Sequence, residues 1–176
     1  PGGHKSSLSL IDTPALTSAY SDSLARIDAT DTLVAIAKVW KVIIKVSAED
    51  NLKLILQKVN NIALVGASSN SERDSFKVMK FLIDYGYKVF PVNPNEKSIL
   101  GVDCFPDLKS IKKKIDMIEV FRAKKYVYNL TKEAIEIEVD ILWFQEGIIH
   151  EKAASLARKY DIKVIMDKCP KKILEA

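Results

Sequence analysis

The sequence predicts an α/β domain built on a doubly wound, five-stranded parallel sheet with an N-terminal helical extension. From about residue 61 onward, short continuous apolar runs alternate with amphipathic stretches, as expected when helices cover both faces of a parallel sheet. The segment from Asn61 to Pro94 reads strand, small-residue turn, helix and strand, which is the first βαβ unit of a nucleotide-binding domain. Right-handed connections favour the strand order 3-2-1-4-5.

Composition narrows the class of protein. The chain has 176 residues, of which 28% are charged and 48% hydrophobic, as in soluble globular proteins. A net charge of +4 suits an anionic ligand but is too small to predict nucleic-acid binding. Cys104 and Cys169 make no disulfide framework, so we expect a cytoplasmic protein. No apolar run reaches about eighteen residues, so we expect no transmembrane segment.

The first 47 residues are predicted to form an arm and an amphipathic helix ahead of the main domain at 48–176. Residues 1–30 are rich in Ser, Thr, Ala and Asp, with a short helix expected near 17–27. Leu33–Val46 is apolar apart from a stripe of lysines, Lys38, Lys41 and Lys45. This helix is favoured to pack on the main domain or on a second copy, giving a homo-oligomer such as a dimer. The alternative is a helix on a membrane surface.

The elements of the main domain follow in order. Ser47, followed by Glu49 and Asp50, predicts the cap of a separate helix that ends at Asn60. The predicted strands are Ile62–Val65, Lys88–Val92, Met117–Phe121, Ile141–Phe144 and Lys163–Met166. The predicted helices between them are Ser75–Tyr85, which Gly86 closes, Leu108–Lys113, Val127–Ile137 and Glu151–Tyr160.

The turn after strand one is a candidate phosphate site. Gly66 lets the backbone approach a ligand closely, and Ser68 adds a hydroxyl. The helix starting near Ser75 directs free N–H groups at the same place. Arg73 could grip a phosphate through two hydrogen bonds. A tight turn with a solvated arginine has the same sequence, so both interpretations stay open at this point.

The end of strand two separates the candidate cofactors. A site for NAD usually carries an Asp or Glu there, to accept the ribose hydroxyls. This strand instead ends Val92-Asn93-Pro94, which offers an apolar surface for adenosine and no carboxylate. The pattern argues against NAD. NADP stays open, because Arg73 or Lys97 could meet a 2′-phosphate.

The other strands end in side chains of similar character. Strand three ends in Phe121-Arg122, and strand four leads into Gln145 and Gly147. Strand five leads to Cys169. Because the carboxyl ends of parallel strands share one edge, these residues are predicted to border one site.

The motifs in order resemble a known family. They are Gly66-Ala-Ser, Arg73-x-Ser75, Gly86-Tyr-x-Val-x-Pro-Val-Asn-Pro94, Leu100-Gly101, Asp116 through Val120-Phe-Arg122, Trp143-Phe-Gln-x-Gly147, His150-Glu-x-Ala-Ala154 and Met166-Asp-x-Cys-Pro170. Over about Asp50 to Lys171 the chain resembles the small bacterial and archaeal CoA-binding proteins. These are single Rossmann-like domains related to the CoA-binding domain of the succinyl-CoA synthetase α subunit.

The resemblance implies coenzyme A as the ligand, with its pyrophosphate at the glycine-serine turn and its adenosine at the exit of strand two. The implied contacts are Gly66, Ala67, Ser68, Arg73, Val92, Asn93, Pro94, Phe121 and Arg122, with Gln145 and Gly147 on the pantetheine side. The chain departs from the family pattern in two places. A proline common after strand three is absent, and Glu138-Val139 replaces a small pair before strand four.

We expect binding rather than catalysis. His4 and His150 lie in no cluster of metal ligands or catalytic partners, and His150 is expected to pack or cap a helix. Cys169 could form a mixed disulfide with the CoA thiol, or be an inert cysteine. The leading hypothesis is a non-catalytic carrier or sensor of CoA or acyl-CoA. The alternatives are an NADP-linked oxidoreductase and an interaction protein that assembles through residues 33–46 and keeps a vestigial nucleotide site.

Overall fold

The computed structural model describes residues 29–176, so the predicted arm and its short helix near 17–27 lie outside the described residues. The fold divides into two compact units between Ala48 and Glu49. The first described element is helix α1, Ala29–Leu56. The predicted break at Ser47 is wrong, because the helix continues through it. No glycine or proline interrupts the sequence there, and a serine followed by acidic residues is tolerated inside a helix.

Seven strands and four more α-helices follow in the second unit. The strands are β1 Asn61–Val65, β2 Lys88–Val92, β3 Ser98–Ile99, β4 Val102–Asp103, β5 Met117–Val120, β6 Ile141–Phe144 and β7 Lys163–Ile165. The helices are α2 Asp74–Tyr85, α3 Lys124–Glu136, α4 Glu151–Arg158 and α5 Pro170–Glu175. The predicted helix Leu108–Lys113 is only one 3₁₀ turn, Leu108–Ser110, capped by the Asp107 side chain. The β3–β4 hairpin and α5 were not predicted.

The five-stranded parallel sheet confirms the predicted fold class but not the strand order. The observed order is β2-β1-β5-β6-β7, which is 2-1-3-4-5 when only the parallel strands are counted. The predicted order 3-2-1-4-5 is therefore wrong. It placed strand two between two others, where Pro91 would have left a gap in the hydrogen-bond ladder, since proline has no N–H to donate. In the structure β2 is the edge strand, and it pairs only with β1 within this sheet.

Both faces of the sheet are covered, as the apolar strands predicted. All four residues of β5 and all four of β6 are buried. Alternate side chains enter two separate hydrophobic clusters. On one face Val120 and Phe144 pack with α3 and α4, and on the other Trp143 packs with α2 and α5.

The observed strand order decides where the chain reverses direction across the sheet. From β1 the chain crosses to β2 on one side, and then returns to β5 on the other side of β1. The switch point therefore lies between β1 and β5, at the carboxyl ends of these strands, which are Val65 and Val120. In open α/β sheets this is where ligands bind.

Candidate functional site

The turn after β1 is held against both neighbouring strands. Gly66 donates its N–H to the carbonyl of Val92 at 3.0 Å, and Phe121 donates to the carbonyl of Val65 at 2.8 Å. Gly66 has φ +91°, and a Cβ built on it would lie 2.4 Å from the carbonyl oxygen of Phe121. Only glycine fits, because any side chain here would overlap backbone. The backbone of the turn therefore approaches β5 directly at the switch point.

A cavity of about 360 Å³, here called the loop cavity, opens beside this turn. It is lined by Gly66, Ala67, Ser68, Ser69, Asn70, Arg73, Asn93, Glu96, Phe121 and Arg122. Seven of these are predicted site residues, contributed by the ends of three strands and the start of α2. The lining is mainly polar, and the two guanidinium groups are its cations.

Asn93 fixes the shape of the loop cavity. Its amide Nδ2 donates to the carbonyl of Ala67 at 2.7 Å, and its Oδ1 accepts from the N–H of Asn95 at 3.0 Å. The side chain thus joins the exit of β2 to the turn after β1. We interpret Asn93 as a residue that shapes the cavity as well as lining it.

Arg73 and Arg122 are available to an anionic ligand. Arg73 occupies the N-cap position of α2, and within residues 29–176 its side chain makes no hydrogen bond or ion pair. The Arg122 guanidinium lies over the ring of Tyr126, 5.9 Å from its centroid. Guanidinium groups that are not engaged in ion pairs can bind phosphate through paired hydrogen bonds.

Glu96 is a residue of this cavity that the sequence did not single out. Its Oε1 accepts hydrogen bonds from the backbone N–H of Ser69 at 3.1 Å and from the Ser69 hydroxyl at 2.8 Å. These bonds lower the pKa of Glu96, the backbone bond most strongly. A carboxylate therefore lies in the loop cavity, near the exit of β2. Glu96 comes four residues after Val92, beyond the position where a ribose-binding acid is usually sought.

A second cavity, here called the helix cavity, has a volume of about 450 Å³ and shares Arg122 with the loop cavity. Its apolar lining comes from Val65, Val92, Pro94, Pro106, Leu108 and Leu130. Its polar lining comes from Asp107, Arg122, Tyr126, Asn129 and Glu133. Burial raises the pKa of the Glu133 carboxyl. Val92 and Pro94 thus belong to the apolar part of a cavity that adjoins the loop cavity.

The helix cavity contains residues that sequence reasoning missed. Tyr126, Asn129, Leu130 and Glu133 follow one another at helical spacing, so they lie on one face of α3. That periodicity was visible in the sequence. Three of these residues lie within the predicted helix Val127–Ile137, and Tyr126 lies just before it.

Gln145 and Gly147 line neither of these two cavities. Gly147 donates its N–H to Asp167 at 2.8 Å. Gln145 is buried, and its amide orientation follows from its neighbours: the nitrogen donates to Glu119 Oε1 at 3.1 Å and to the carbonyl of Lys168 at 3.0 Å. Lys97 also lies outside both cavities.

His150 has the capping role that was predicted. Its Nδ1 accepts the N–H of Ala153 at 3.2 Å at the start of α4, and its ring stacks on Tyr128. Within residues 29–176, no group of three His, Cys, Asp or Glu side chains is arranged to hold a metal ion. In the same range, no helix has the length and apolar character needed to cross a membrane.

A wider depression of about 1060 Å³ lies at the opposite end of the sheet, where the strands begin. It is lined by charged side chains of both signs, including Asp116, Glu136 and Lys159. Because ligands of open α/β sheets bind outside the carboxyl ends of the strands, the loop and helix cavities are the better candidate site.

Comparison with known proteins identifies the family of the domain that contains these cavities. The protein family described as "CoA binding domain" matches this chain over residues 60–175. The chain is 37% identical over 120 residues to the uncharacterized protein YneT of Bacillus subtilis, covering 68% of this chain and 89% of that protein. It is 30% identical over 119 residues to the α subunit of ADP-forming acetate–CoA ligase II from Pyrococcus furiosus, covering 61% of this chain. The match spans only 26% of that ligase subunit.

Solved structures share the fold. A hypothetical protein from Pyrococcus horikoshii superposes with a TM-score of 0.70 at 32% identity, covering 72% of this chain and 89% of that one. A protein from Thermus thermophilus gives a TM-score of 0.69 at 26% identity, covering 72% and 96%. The segment matched by the family, residues 60–175, holds the whole five-stranded sheet and every residue of the loop and helix cavities. Because this match covers well over half of the chain, the chain belongs to the CoA-binding domain family.

Proposed function

We propose that the protein binds coenzyme A or an acyl-CoA across the loop and helix cavities, as a non-catalytic carrier or sensor. The observation that carries the proposal is the polar cavity at the switch point of the sheet, beside the turn where Gly66 closely approaches the Phe121 carbonyl. Membership of the CoA-binding domain family supports coenzyme A as the occupant.

The loop cavity suits the pyrophosphate. Arg73 and Arg122 supply two cations, and the first turn of α2 supplies backbone N–H groups and the positive end of the helix dipole. Gly66 and Ala67 bring no bulky side chain between the backbone and an oxygen anion. A diphosphate would therefore meet charge and hydrogen-bond donors together.

The helix cavity suits the adenosine. Its apolar wall at Val92, Pro94 and Leu130 can contact the flat faces of adenine, while Asn129 and Glu133 offer oxygen acceptors for the amino group. Arg122, which lines both cavities, lies where the nucleoside would join the diphosphate. One ligand could then occupy both cavities at once.

The test is a thermal-shift panel on the full chain with CoA, acetyl-CoA, NAD and NADP. We expect CoA and acetyl-CoA to stabilise the protein by about 2.7 kcal/mol at a hundred times their dissociation constants, and the dinucleotides to have no effect. ADP should give a smaller shift, because it fills only the two cavities and lacks the pantetheine arm. The absence of a shift with millimolar CoA, or a larger shift with NADP, would contradict the proposal.

Glu96 should oppose binding, because its carboxylate lies in the cavity proposed for the pyrophosphate. Glu96→Gln keeps an oxygen that can accept from Ser69 but removes the negative charge. We expect CoA to bind roughly three- to tenfold more tightly, a modest gain because the group is exposed and screened by solvent. Titration calorimetry at low and high salt measures it.

The control is Glu136→Gln, which removes the same charge from a residue of α3 that pairs with Lys109 outside both cavities. Its CoA affinity should be that of the wild type. Weaker binding by Glu96→Gln would overturn the repulsive role and make Glu96 a ligand contact instead.

A further inference from the structure

Positive charge is concentrated at the start of α3, beside the helix cavity. Arg122 lies in the segment that leaves β5, and Lys124 and Lys125 are the first two residues of the helix. All three residues are exposed, and within residues 29–176 none of them forms an ion pair with an acidic side chain. The first turn of α3 contains no acidic residue. Cations at the N-terminal end of a helix oppose its dipole, so helix stability does not account for this arrangement.

Tyr126 holds two of these cations beside the helix cavity. Its side chain lines the cavity and is about half exposed. The Arg122 guanidinium lies 5.9 Å from the centroid of the Tyr126 ring, and the Lys125 ammonium lies 5.0 Å from it. Cation–π contacts at an exposed ring are weak, and two like charges on one ring repel each other. An anion bound there would be attracted to both cations and would offset their repulsion.

Two carboxyl groups line the same cavity, and a bound anion would avoid them. Asp107 accepts hydrogen bonds from the N–H and the hydroxyl of Ser110, at 2.8 and 2.7 Å. Glu133 is two turns further along α3 than Tyr126, about 10 Å along the helix axis. The cations therefore mark the end of the cavity at the start of α3 as the place for an anionic group of the ligand.

We propose that Arg122 and Lys125, positioned by the Tyr126 ring, bind the ribose 3′-phosphate of coenzyme A and select CoA over dephospho-CoA. The inference rests on the proposed function, because it requires adenosine in the helix cavity and the diphosphate in the loop cavity. Arg122 lines both cavities, so the ribose that joins adenine to the diphosphate would lie next to it. A phosphate monoester on that ribose carries about two negative charges at neutral pH, which matches the two cations.

The three side chains have different roles in this site. Arg122 can form paired hydrogen bonds with a phosphate, but it also serves the diphosphate. Lys125 lines neither cavity, so it would meet the ligand only through the added phosphate. Tyr126 is a positioning residue, because its ring fixes where the two cations lie. Lys125 is therefore the residue whose removal tests the inference separately from CoA binding.

Titration calorimetry of the full chain with CoA and with dephospho-CoA is the experiment, because these ligands differ only in the 3′-phosphate. We expect the wild type to bind CoA at least about thirtyfold more tightly, as hydrogen bonds to two charged groups would give. Lys125→Met keeps the length of the side chain and removes its charge, and it should reduce this preference about tenfold by weakening CoA binding. Tyr126→Leu should also reduce the preference, although it keeps both cations.

Lys132→Met is the matched control for Lys125→Met. Lys132 lies on the same helix, 5.1 Å from the ring centroid of Tyr128, and lines neither cavity. Its substitution removes the same charge from the protein, so any effect on binding reports the general electrostatic field. The preference of this variant for CoA should equal that of the wild type. An equal loss of preference in both variants would overturn the specific contact of Lys125.

Smaller nucleotides determine which ribose position carries the recognised phosphate. We expect adenosine 3′,5′-bisphosphate to bind at least about tenfold more tightly than AMP, and adenosine 2′,5′-bisphosphate to gain less. A larger gain for the 2′-isomer would overturn the 3′-phosphate site and favour a 2′-phosphorylated ligand such as NADP.

The outcomes separate this inference from the proposed function. Equal affinity of the wild type for CoA and dephospho-CoA, or an unchanged preference in Lys125→Met, would overturn the inference while CoA binding stands. Failure of both ligands to bind would overturn the proposed function itself. The comparison of the two ligands on the wild type and on Lys125→Met remains decisive even if Tyr126→Leu does not fold.

Discussion

Replacing Gly66 with alanine is expected to remove measurable CoA binding and to lower the free energy of unfolding by about 3 kcal/mol. The new methyl group would lie 2.4 Å from the Phe121 carbonyl oxygen, and the backbone would hold a non-glycine residue at φ +91°. Overpacking costs roughly 1–3 kcal/mol and strain of this kind a similar amount. Relief of the clash would move the turn away from β5 and change the shape of the loop cavity. Denaturant unfolding and calorimetric titration with CoA measure the two effects.

Gly101→Ala is the matched control for that substitution. Gly101 has φ +76°, but a Cβ there meets nothing within 4 Å. It therefore carries backbone strain without a clash, and we expect a loss of about 1 kcal/mol with CoA affinity unchanged. If the two variants lose equal stability, the close approach of Gly66 to Phe121 has no energetic importance, and the clash expected in Gly66→Ala is wrong.

Replacing Arg122 with alanine is expected to weaken CoA binding about a hundredfold while leaving stability unchanged. The residue is exposed and lines both cavities, so one guanidinium can contact phosphate in one and the nucleoside in the other. Hydrogen bonds to charged groups contribute roughly 1.5–3 kcal/mol each. Arg122→Lys should recover only part of the affinity, because an ammonium cannot form the paired bonds. Titration calorimetry over a range of salt concentrations measures both.

Arg158→Ala provides the comparison for Arg122. Arg158 is an exposed arginine at the end of α4 and borders neither cavity. Its removal changes the net charge of the protein equally, so any loss of affinity it causes reports the general electrostatic field. An equal loss in both variants would show that Arg122 makes no specific contact with the ligand.

The strands could be predicted from the sequence because covering both faces of a sheet requires continuous apolar runs. Ile141–Phe144 is such a run, and Met117–Val120 is one apart from Glu119; every residue of both strands is buried. Strand pairing could not be predicted in the same way, because it depends on contacts between segments far apart in the chain. Pro91 was the local signal for the edge position of β2, and its missing N–H should have excluded the predicted order.

The site was predicted where a residue type is tied to backbone geometry. Gly66, Asn93 and Pro94 lie at the ends of strands, which can be recognised from the neighbouring residues in the sequence. The structure brings these three residues to adjoining cavities. Glu96 was missed because its hydrogen bonds to Ser69 join two loops that only the folded chain brings together. The buried contact of Glu119 with Gln145 could not be predicted for a related reason, because it depends on the pairing of β5 with β6.

The outer edge of β2 has a consequence for association between chains. An edge strand normally offers free N–H and C=O groups that can pair with a strand of another molecule, which is a route to aggregation. Here Pro91 has no N–H to offer, and its carbonyl already accepts the N–H of Phe105 at 2.8 Å. Asn93, just beyond the strand, donates its own N–H to the Phe105 carbonyl at 2.9 Å. The end of β2 is thus closed to main-chain pairing with another molecule, because its outward groups from Pro91 to Asn93 are either missing or already bonded to Phe105.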